Sequence, residues 1–334
     1  MNFLITGGAG FIGSNVAERL LRAGHAVWAF DDLNEYYPAV FKRQNIAEVA
    51  AIGGSRFQFR RGDITDRAGV DRIFSETAFD QVIHLAARAG VRPSLLEPAL
   101  YQRVNVEGTV NLLEAGRERG VKKWVIASSS SVYGLNSKMP FSENDPIFSP
   151  ISPYAASKLA CEALGHVYHH IYGFDVAMLR FFTVYGPRQR PDLAIFKFAT
   201  QIDAGRPITV FGDGSTARDY TFIDDIVDGI VACTERSLGY EIFNLGESQT
   251  VRLDQLIALL EHALGREAIL DRQPLQPGDV PRTYADISKA ATLLGYRPQT
   301  RVEEGIPRFV EWFRTFGRGR LQDEELRINT EGRG

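Results

Sequence analysis

Residues 2–13, Asn-Phe-Leu-Ile-Thr-Gly-Gly-Ala-Gly-Phe-Ile-Gly, join an apolar run to three glycines spaced three apart, Gly7, Gly10 and Gly13. The run is typical of a buried strand, and the residues from Phe11 onward have the apolar spacing of a helix. Glycines at a strand–helix turn permit a tight bend and a close approach of the backbone to a pyrophosphate. The free N–H groups at the start of the helix attract the phosphates. The stretch therefore predicts a dinucleotide-binding βαβ unit.

The second predicted strand ends in two aspartates, Asp31 and Asp32, at about the 20-residue offset expected for a ribose-binding acid. A carboxylate there accepts hydrogen bonds from the adenosine ribose and repels a 2′-phosphate. We therefore predict NAD, rather than NADP, as the cofactor. The cofactor contacts predicted from this region are Gly7, Gly10, Phe11, Ile12, Gly13, Asp31 and Asp32.

Apolar, β-rich runs alternate with amphipathic stretches through the first half of the chain. The predicted strands lie near Asn2–Thr6, Ala26–Phe30, Arg56–Phe59, Gln81–Leu85, Trp124–Ala127 and Val176–Phe181. The alternation predicts an α/β Rossmann fold, a doubly wound parallel sheet, followed by a smaller mixed α/β C-terminal substrate domain. We expect an NAD-binding domain over 1–182, with 222–248 returning to it, a substrate domain over 183–317 and a peripheral polar tail over 318–334.

Composition excludes several classes of function. The chain has 334 residues and a net charge of -3, without the basic patch expected of a nucleic-acid binder. Its only cysteines, Cys161 and Cys233, rule out a disulfide scaffold or a cysteine zinc cluster, and no metal site is predicted. No apolar run approaches the roughly 20 residues that cross a bilayer. These features predict a cytoplasmic protein with no nucleic-acid or membrane partner.

A second motif carries the chemistry. Tyr154 and Lys158 are four residues apart, and therefore share one face of a helix that Ser152 or Pro153 can start. The lysine ammonium favours the phenolate that a tyrosine base requires. Upstream, a serine run that includes Ser129 follows a predicted strand, at the sheet edge where open α/β folds bind ligands. Together with the glycine turn, these residues predict a catalytic site.

With these motifs the sequence resembles the extended short-chain dehydrogenase/reductases, over about Met1 to Phe316. The resemblance implies that Ser129, Tyr154 and Lys158 form the catalytic triad. It also implies further contacts along the cofactor, from Asp63, Ile64, Leu85, Ala86, Ala87, Asn105, Tyr154 and Lys158.

Within that family the second half is similar to nucleotide-sugar epimerases. Arg218 matches the arginine that clamps the sugar-nucleotide diphosphate, a task suited to a guanidinium. Phe211 matches the aromatic that stacks on uracil, and Asp279, in the segment 276–279, matches the acid that meets the ribose. Gln276 departs from the pattern, because many UDP-galactose 4-epimerases carry arginine there. Residues other than the one at position 276 could therefore bind the diphosphate in this chain.

The segment from Arg180 to Asp192 looks like that of UDP-glucuronate 4-epimerases, whose galactose counterparts usually have asparagine at the position of Thr183. Residues 85–94 also resemble the uronate enzymes, although Arg88 replaces a frequent glutamine. Arg88 or Arg190, helped by serines and Thr183, is expected to receive the carboxylate or the phosphates. The predicted substrate contacts are Arg88, Ser129, Ser130, Ser131, Thr183, Arg190, Phe211, Arg218 and Asp279.

The leading prediction is NAD-dependent C4 epimerisation of a UDP-hexuronic acid. The resemblance also implies a homodimer, built on two predicted helices near Asn105–Arg119 and Pro153–Tyr172. Ser131 stands where related decarboxylases have glutamate, and the acidic pair of 4,6-dehydratases is missing. A neutral UDP-hexose 4-epimerase remains an alternative within enzymes. A non-catalytic dinucleotide sensor is a more remote alternative. Such proteins often lose the tyrosine or the lysine of this motif, whereas this chain keeps both Tyr154 and Lys158.

Overall fold

The computed structural model describes residues 1–136, 138–274 and 280–320. The strands of this part of the chain are β1 (Asn2–Thr6), β2 (Ala26–Asp31), β3 (Phe57–Arg61), β4 (Gln81–His84), β5 (Lys123–Ser129), β6 (Asp175–Phe181), β7 (Thr183–Tyr185), β8 (Ile208–Phe211), β9 (Ala217–Phe222), β10 (Tyr240–Leu245), β11 (Thr250–Arg252) and β12 (Leu270–Gln273). The α-helices there are α1 (Phe11–Arg22), α2 (Ala39–Gly53), α3 (Arg67–Glu76), α4 (Val91–Leu96), α5 (Pro98–Tyr101), α6 (Gly108–Glu118), α7 (Pro153–Tyr172), α8 (Ala194–Asp203), α9 (Ile223–Thr234), α10 (Leu253–Leu264), α11 (Ser288–Leu294) and α12 (Val302–Trp312).

The main sheet is parallel, in the order β3-β2-β1-β4-β5-β6-β10. The order reverses between β1 and β4, which is where doubly wound sheets bind ligands outside the carboxyl ends of their strands. Thr6 pairs with Phe30 on one side and His84 on the other, so the loops after β1, β2 and β4 begin at one level. The predicted Rossmann fold class is confirmed.

The six predicted strands form within two residues of their expected bounds, whereas one predicted helix differs from the expectation. The expected helix over Asn105–Arg119 is interrupted: α6 begins only at Gly108 and is preceded by a π-helical turn, Gln102–Glu107. Such turns insert an extra residue and are frequent at functional sites. Here the turn contains Asn105, whose side chain is buried and hydrogen-bonded to distant segments.

The second half builds two smaller sheets. In the first, β9 pairs parallel with β7 and antiparallel with β11, and in the second β8 pairs parallel with β12. The chain returns to the main sheet at β10, which pairs with β6. The division into domains at 182 and 317 stays a prediction.

The expectation of a peripheral tail from residue 318 onward is wrong for Arg320. Its side chain is only 2% exposed, because it packs against α2 and ion-pairs there with Glu48. The composition of the tail is polar, but an ion pair and a hydrogen bond satisfy this buried guanidinium. Residues 321–334 lie outside the described part.

Candidate active site

A cavity of about 350 Å³ opens at the carboxyl edge of the main sheet. It brings together most of the residues predicted for the site. The predicted residues on its wall are Gly7, Gly10, Phe11, Ile12, Gly13, Asp31, Asp32, Asp63, Ile64, Leu85, Ala86, Ala87, Arg88, Ser129, Tyr154, Lys158, Thr183 and Arg190. Cofactor-side and substrate-side predictions therefore share one cavity.

The glycine turn leaves the start of α1 open toward this cavity. Gly7 has a φ of +68°, and a Cβ added at Gly13 would lie 2.2 Å from the carbonyl oxygen of Gly7. Only glycine fits such a close backbone approach. Gly10 is the N-cap of α1, and no side chain caps the helix there. The first N–H groups of α1 are thus available to phosphate oxygens, and the turn fits a dinucleotide.

Asp31 is buried beside this turn. Its carboxylate accepts hydrogen bonds from the backbone N–H groups of Ala9, at 3.2 Å, and Leu33, at 2.9 Å. The ammonium of Lys42 lies 3.6 Å from Asp31 and 3.9 Å from Asp32, on the wall of the same cavity. Sequence reasoning missed Lys42, since a lone lysine between two predicted strands gives no signal. Burial raises the pKa of Asp31, and Lys42 opposes that change.

Replacing Asp31 with alanine is expected to weaken NAD binding about 10- to 100-fold, because a hydrogen bond to a charged group is lost. It should also relax discrimination against NADP, since Lys42 would then face a 2′-phosphate with one acidic neighbour fewer. The double variant Asp31→Ala/Lys42→Met should bind NAD weakly without that gain. Titration of stripped protein with both dinucleotides measures this. Wild-type protein that releases mainly NADP on denaturation would contradict the assignment.

The predicted catalytic residues converge from two elements. α7 begins at Pro153 and is capped by Ser152, whose hydroxyl accepts from the N–H of Ala155 at 3.1 Å. Lys158 is buried, and its ammonium donates to the carbonyl of Ala127 at 2.8 Å. Ala127 lies on β5, two residues before Ser129. This bond therefore fixes α7, with its lysine, against the strand that carries the serine.

Asn105 lies behind the wall and holds it in place. Its amide oxygen accepts from the N–H of Arg88 at 2.8 Å, and its amide nitrogen donates to the Arg88 carbonyl at 3.0 Å and to the hydroxyl of Ser157 at 2.9 Å. One side chain thus links the loop after β4 to α7. The sequence predicts Asn105 as a cofactor contact, but it does not line the cavity and instead holds the backbone of Arg88, next to Ala86 and Ala87.

A buried ion pair below the catalytic residues was not foreseen from the sequence. Arg180 on β6 makes two hydrogen bonds to Glu162 on α7, at 2.8 and 2.7 Å. Glu162 also accepts from the hydroxyl of Ser128 at 2.6 Å. A fully bonded buried network of this kind rigidifies its surroundings. It ties the end of β5, next to Ser129, to the helix that presents Tyr154.

His84 is a second buried polar group that sequence reasoning missed. Its two ring nitrogens lie 2.7 Å from the hydroxyl of Thr6 and 3.0 Å from that of Thr109. Burial, and then the positive charge of Lys158, lower the pKa of His84 to about 3. The ring is therefore neutral and links β4 to β1 and α6.

The two arginines expected at the substrate differ in their surroundings. Arg190 makes a bidentate ion pair with Asp192, at 2.9 and 2.6 Å, and lies 5.2 Å above the ring of Tyr36. Asp192 therefore already neutralises the charge of Arg190. Arg88 follows β4 and lies 5.9 Å from the same ring. Of the two, Arg88 is the better candidate for an anionic substrate.

The remaining predicted substrate contacts are not all on this wall. Ser130 and Ser131 begin a 3₁₀ turn and do not line the cavity, although the N–H of Ser131 donates to the hydroxyl oxygen of Ser129 at 3.1 Å. Phe211 and Arg218 lie on β8 and β9, outside the cavity lining, and the Phe211 ring is 5.0 Å from the guanidinium of Arg92. Asp279 lies outside the described residues, as does the rest of 276–279.

An acidic cluster lies behind Arg218. Asp219 accepts from the N–H groups of Glu247, at 2.7 Å, and Ala285, at 3.0 Å, and burial raises its pKa to about 6. Burial, then Asp225 and Asp219, raise the pKa of Glu247 to about 8. One carboxylate oxygen of Glu247 finds no hydrogen-bond partner among the described residues. The folded state therefore favours protonated Glu247.

The folded chain consequently binds more protons than the unfolded chain between about pH 4.5 and 8, so Glu247 lowers the stability as pH rises through that range. We expect Glu247→Gln to raise the Tm by a few degrees at pH 8.5 and by much less at pH 5. Glu311→Gln, at an exposed position of α12, is the control and should show no such difference. Thermal unfolding at both pH values measures it, and an equal shift at both would contradict the account.

Two features are absent from the described residues. These residues contain no helix that is long and apolar enough to cross a membrane. They also contain no group of three or more histidine, cysteine or acidic side chains arranged to hold a metal ion.

The family model described as GDP-mannose 4,6 dehydratase matches residues 4–309. The chain belongs to that family. The resemblance to nucleotide-sugar enzymes of the extended short-chain dehydrogenase/reductases is thereby confirmed.

Individual relatives show which nucleotide-sugar enzymes the chain is similar to. A UDP-glucuronate 4-epimerase of Thermodesulfobacterium geofontis is 45% identical over 311 residues, covering 93% of this chain and 95% of the relative. The crystal structure of UDP-glucuronic acid 4-epimerase from Bacillus cereus, in complex with UDP-glucuronic acid and NAD, is 37% identical with a TM-score of 0.87, over 94% of this chain and 99% of that one. The UDP-glucose 4-epimerase of Thermus thermophilus, in complex with NAD, is 34% identical with a TM-score of 0.85, over 94% and 99%.

Proposed function

We propose that this protein is an NAD-dependent UDP-glucuronate 4-epimerase. The observation that carries the proposal is the single cavity that runs from the glycine turn past Tyr154 to Thr183. A cofactor at the turn and a sugar at Thr183 would meet at the tyrosine. The curated relative from Thermodesulfobacterium geofontis and the Bacillus cereus structure support the same activity.

The residues of the chain divide the work of proton transfer. NAD, when bound, supplies a reversible hydride acceptor. Tyr154 as phenolate takes the proton of the C4 hydroxyl and later returns a proton to the same oxygen. Ser129 orients that oxygen by hydrogen bonding. Lys158, held by Ala127, favours the phenolate by its positive charge.

The sugar must change faces between the two proton transfers. Loss of the hydroxyl proton to Tyr154 and of the C4 hydrogen as hydride gives a 4-keto sugar. Its rotation about the phosphate linkage presents the other face for reduction. The product is therefore UDP-galacturonate, with C4 inverted. The diphosphate serves as the pivot, and we propose that Arg218 binds it while Phe211 stacks on the base. The acid expected at the nucleotide ribose is Asp279.

The uronate raises a problem that neutral sugars do not. Its 4-keto form is a β-keto acid, which loses carbon dioxide most readily when the bond from C5 to the carboxylate lies perpendicular to the ketone plane. An epimerase must therefore hold the carboxylate near that plane. Thr183 and Ser129 line the cavity as hydroxyl donors, and Arg88 lines it as a cation. Ser131, where decarboxylases have an acid, supports epimerisation over loss of carbon dioxide.

A neutral UDP-hexose 4-epimerase is the second candidate, favoured by the similarity to the Thermus thermophilus enzyme. Parallel assays of purified protein with UDP-glucuronate and UDP-galactose separate the two. We expect far faster conversion of the uronate. Preference for UDP-galactose would overturn the proposal.

We also propose that the protein acts as a cytoplasmic homodimer, packed through α6 and α7 as a four-helix unit. Three large apolar side chains of α7, Val167, Ile171 and Tyr172, are exposed on the single chain, Ile171 by 61%. A partner copy would bury them. Light scattering of the purified protein reports the mass.

A further inference from the structure

The end of the described chain returns to the cofactor half of the molecule. After α12 a π-helical segment, Phe313–Gly317, leads to Arg320, whose guanidinium lies against α2. It is 5.2 Å from the ring of Trp312 and 6.0 Å from that of Phe41. A buried arginine needs such contacts and full hydrogen bonding to offset its desolvation.

Arg320 is bonded to a side chain that reaches the glycine turn. Its guanidinium donates to the amide oxygen of Asn45 at 2.7 Å and ion-pairs with Glu48. The amide nitrogen of Asn45 donates to the carbonyl of Ala9 at 3.0 Å. The N–H groups of Arg320 can bond only to the amide oxygen of Asn45, so the amide nitrogen is the atom that faces the carbonyl of Ala9. Arg320 therefore sets the orientation of Asn45.

Ala9 is thus held on both sides, immediately before the N-cap of α1. Asn45 binds its carbonyl and Asp31 binds its N–H. By fixing the backbone of Ala9, Asn45 and Asp31 together set the direction of the first N–H groups of α1. A second link runs through Glu48, which also accepts from Arg188 at 2.8 Å.

Arg188 extends this link toward the substrate side. It lies between Thr183 and Arg190, has a φ of +67°, and ion-pairs with Glu18 of α1 at 2.8 Å. Glu48 of α2 thus joins Arg320 to Arg188, and Arg188 connects them to α1. None of these groups touches Tyr154 in the contacts of the described residues.

We infer that Arg320 is a positioning residue that keeps the dinucleotide bound between turnovers, by fixing Asn45 and through it the phosphate-binding turn. The inference rests on the proposed function, in which NAD returns to its oxidised form in each cycle and need not leave. Removing Arg320 should then speed the loss of NAD while sparing catalysis by molecules that retain it.

The test uses Arg320→Met in the full chain, which keeps an apolar stem over Phe41 and Trp312 and removes the hydrogen bonds. We expect NAD to dissociate about tenfold faster, as for the loss of about 1.4 kcal/mol. Activity should fall on dilution and recover on adding NAD. Arg318→Met is the matched control, because exposed Arg318 ion-pairs with Asp203 of α8 instead. Its NAD should stay bound.

A purely structural role for Arg320 makes a different prediction. It would lower the Tm of stripped protein and leave the NAD dissociation rate unchanged, which would overturn the inference. Asn45→Ala should reproduce the faster release, and the double variant should add little to either single variant if Arg320 acts through Asn45. Fully additive effects, or equal NAD loss in Arg318→Met, would also overturn it. If the wild type carries no NAD and binds none, the proposed function fails, and this role with it. If wild type and Arg320→Met retain NAD equally, only the role of Arg320 is wrong.

Discussion

Replacing Tyr154 with phenylalanine is expected to lower the epimerisation rate by about 10²- to 10⁴-fold, because it removes the acid/base group and keeps the ring. Binding of NAD and of the UDP-sugar should change little. The ring of Tyr154 packs edge-on against Tyr101, at 6.1 Å between centroids, and phenylalanine preserves that contact. An epimerisation assay beside calorimetric binding of the UDP-sugar measures both quantities.

A tyrosine with a structural role provides the control. The hydroxyl of Tyr240 donates to the carbonyl of Glu162 at 2.8 Å, away from the cavity. Tyr240→Phe should therefore lower the unfolding free energy by about 1 kcal/mol and preserve the activity per folded molecule. If Tyr154→Phe behaves like this control, the proton is transferred by another group and the mechanism is wrong.

The cofactor half of the site was predictable because its determinants are local. The three glycines, the strand before them and Asp31 at the end of the next strand are short-range features of βαβ units. The register of β1 with β2 and β4 then brings their loops together without further information. Tyr154 and Lys158 follow from the spacing of one helix.

The missed residues depend on partners far apart in the sequence. Arg320 and Asn45 are separated by 275 positions, and a polar tail gives no sign that one arginine is buried. The π-helical turn at Asn105 could not be foreseen, because local propensity does not distinguish it from an α-helix. Its contacts with Arg88 and Ser157, 17 and 52 residues away, accompany it in the folded chain.

Replacing Thr183 with alanine tests the choice of sugar. Thr183 begins β7 on the cavity wall, where the proposed function assigns it to the substrate carboxylate. Loss of a hydrogen bond to a charged group costs about 1.5 to 3 kcal/mol. We therefore expect the rate on UDP-glucuronate to fall by about one to two orders of magnitude. Any activity on UDP-galactose, which has no carboxylate, should change much less.

The same variant should release more UDP-pentose. A carboxylate free to leave the ketone plane can turn its C5–C6 bond parallel to the π orbitals of the carbonyl, perpendicular to that plane. The bond then breaks to give carbon dioxide and an enolate, which takes up a proton at C5. Return of the hydride that was removed earlier from C4 reduces that ketone and yields the UDP-pentose. Thr183→Ser keeps the hydroxyl and should retain most of the rate with little pentose, as chromatography of the reaction mixture would report. If Thr183→Ala slows both sugars equally and forms no additional pentose, the hydroxyl does not restrain the carboxylate and the neutral-hexose alternative gains support.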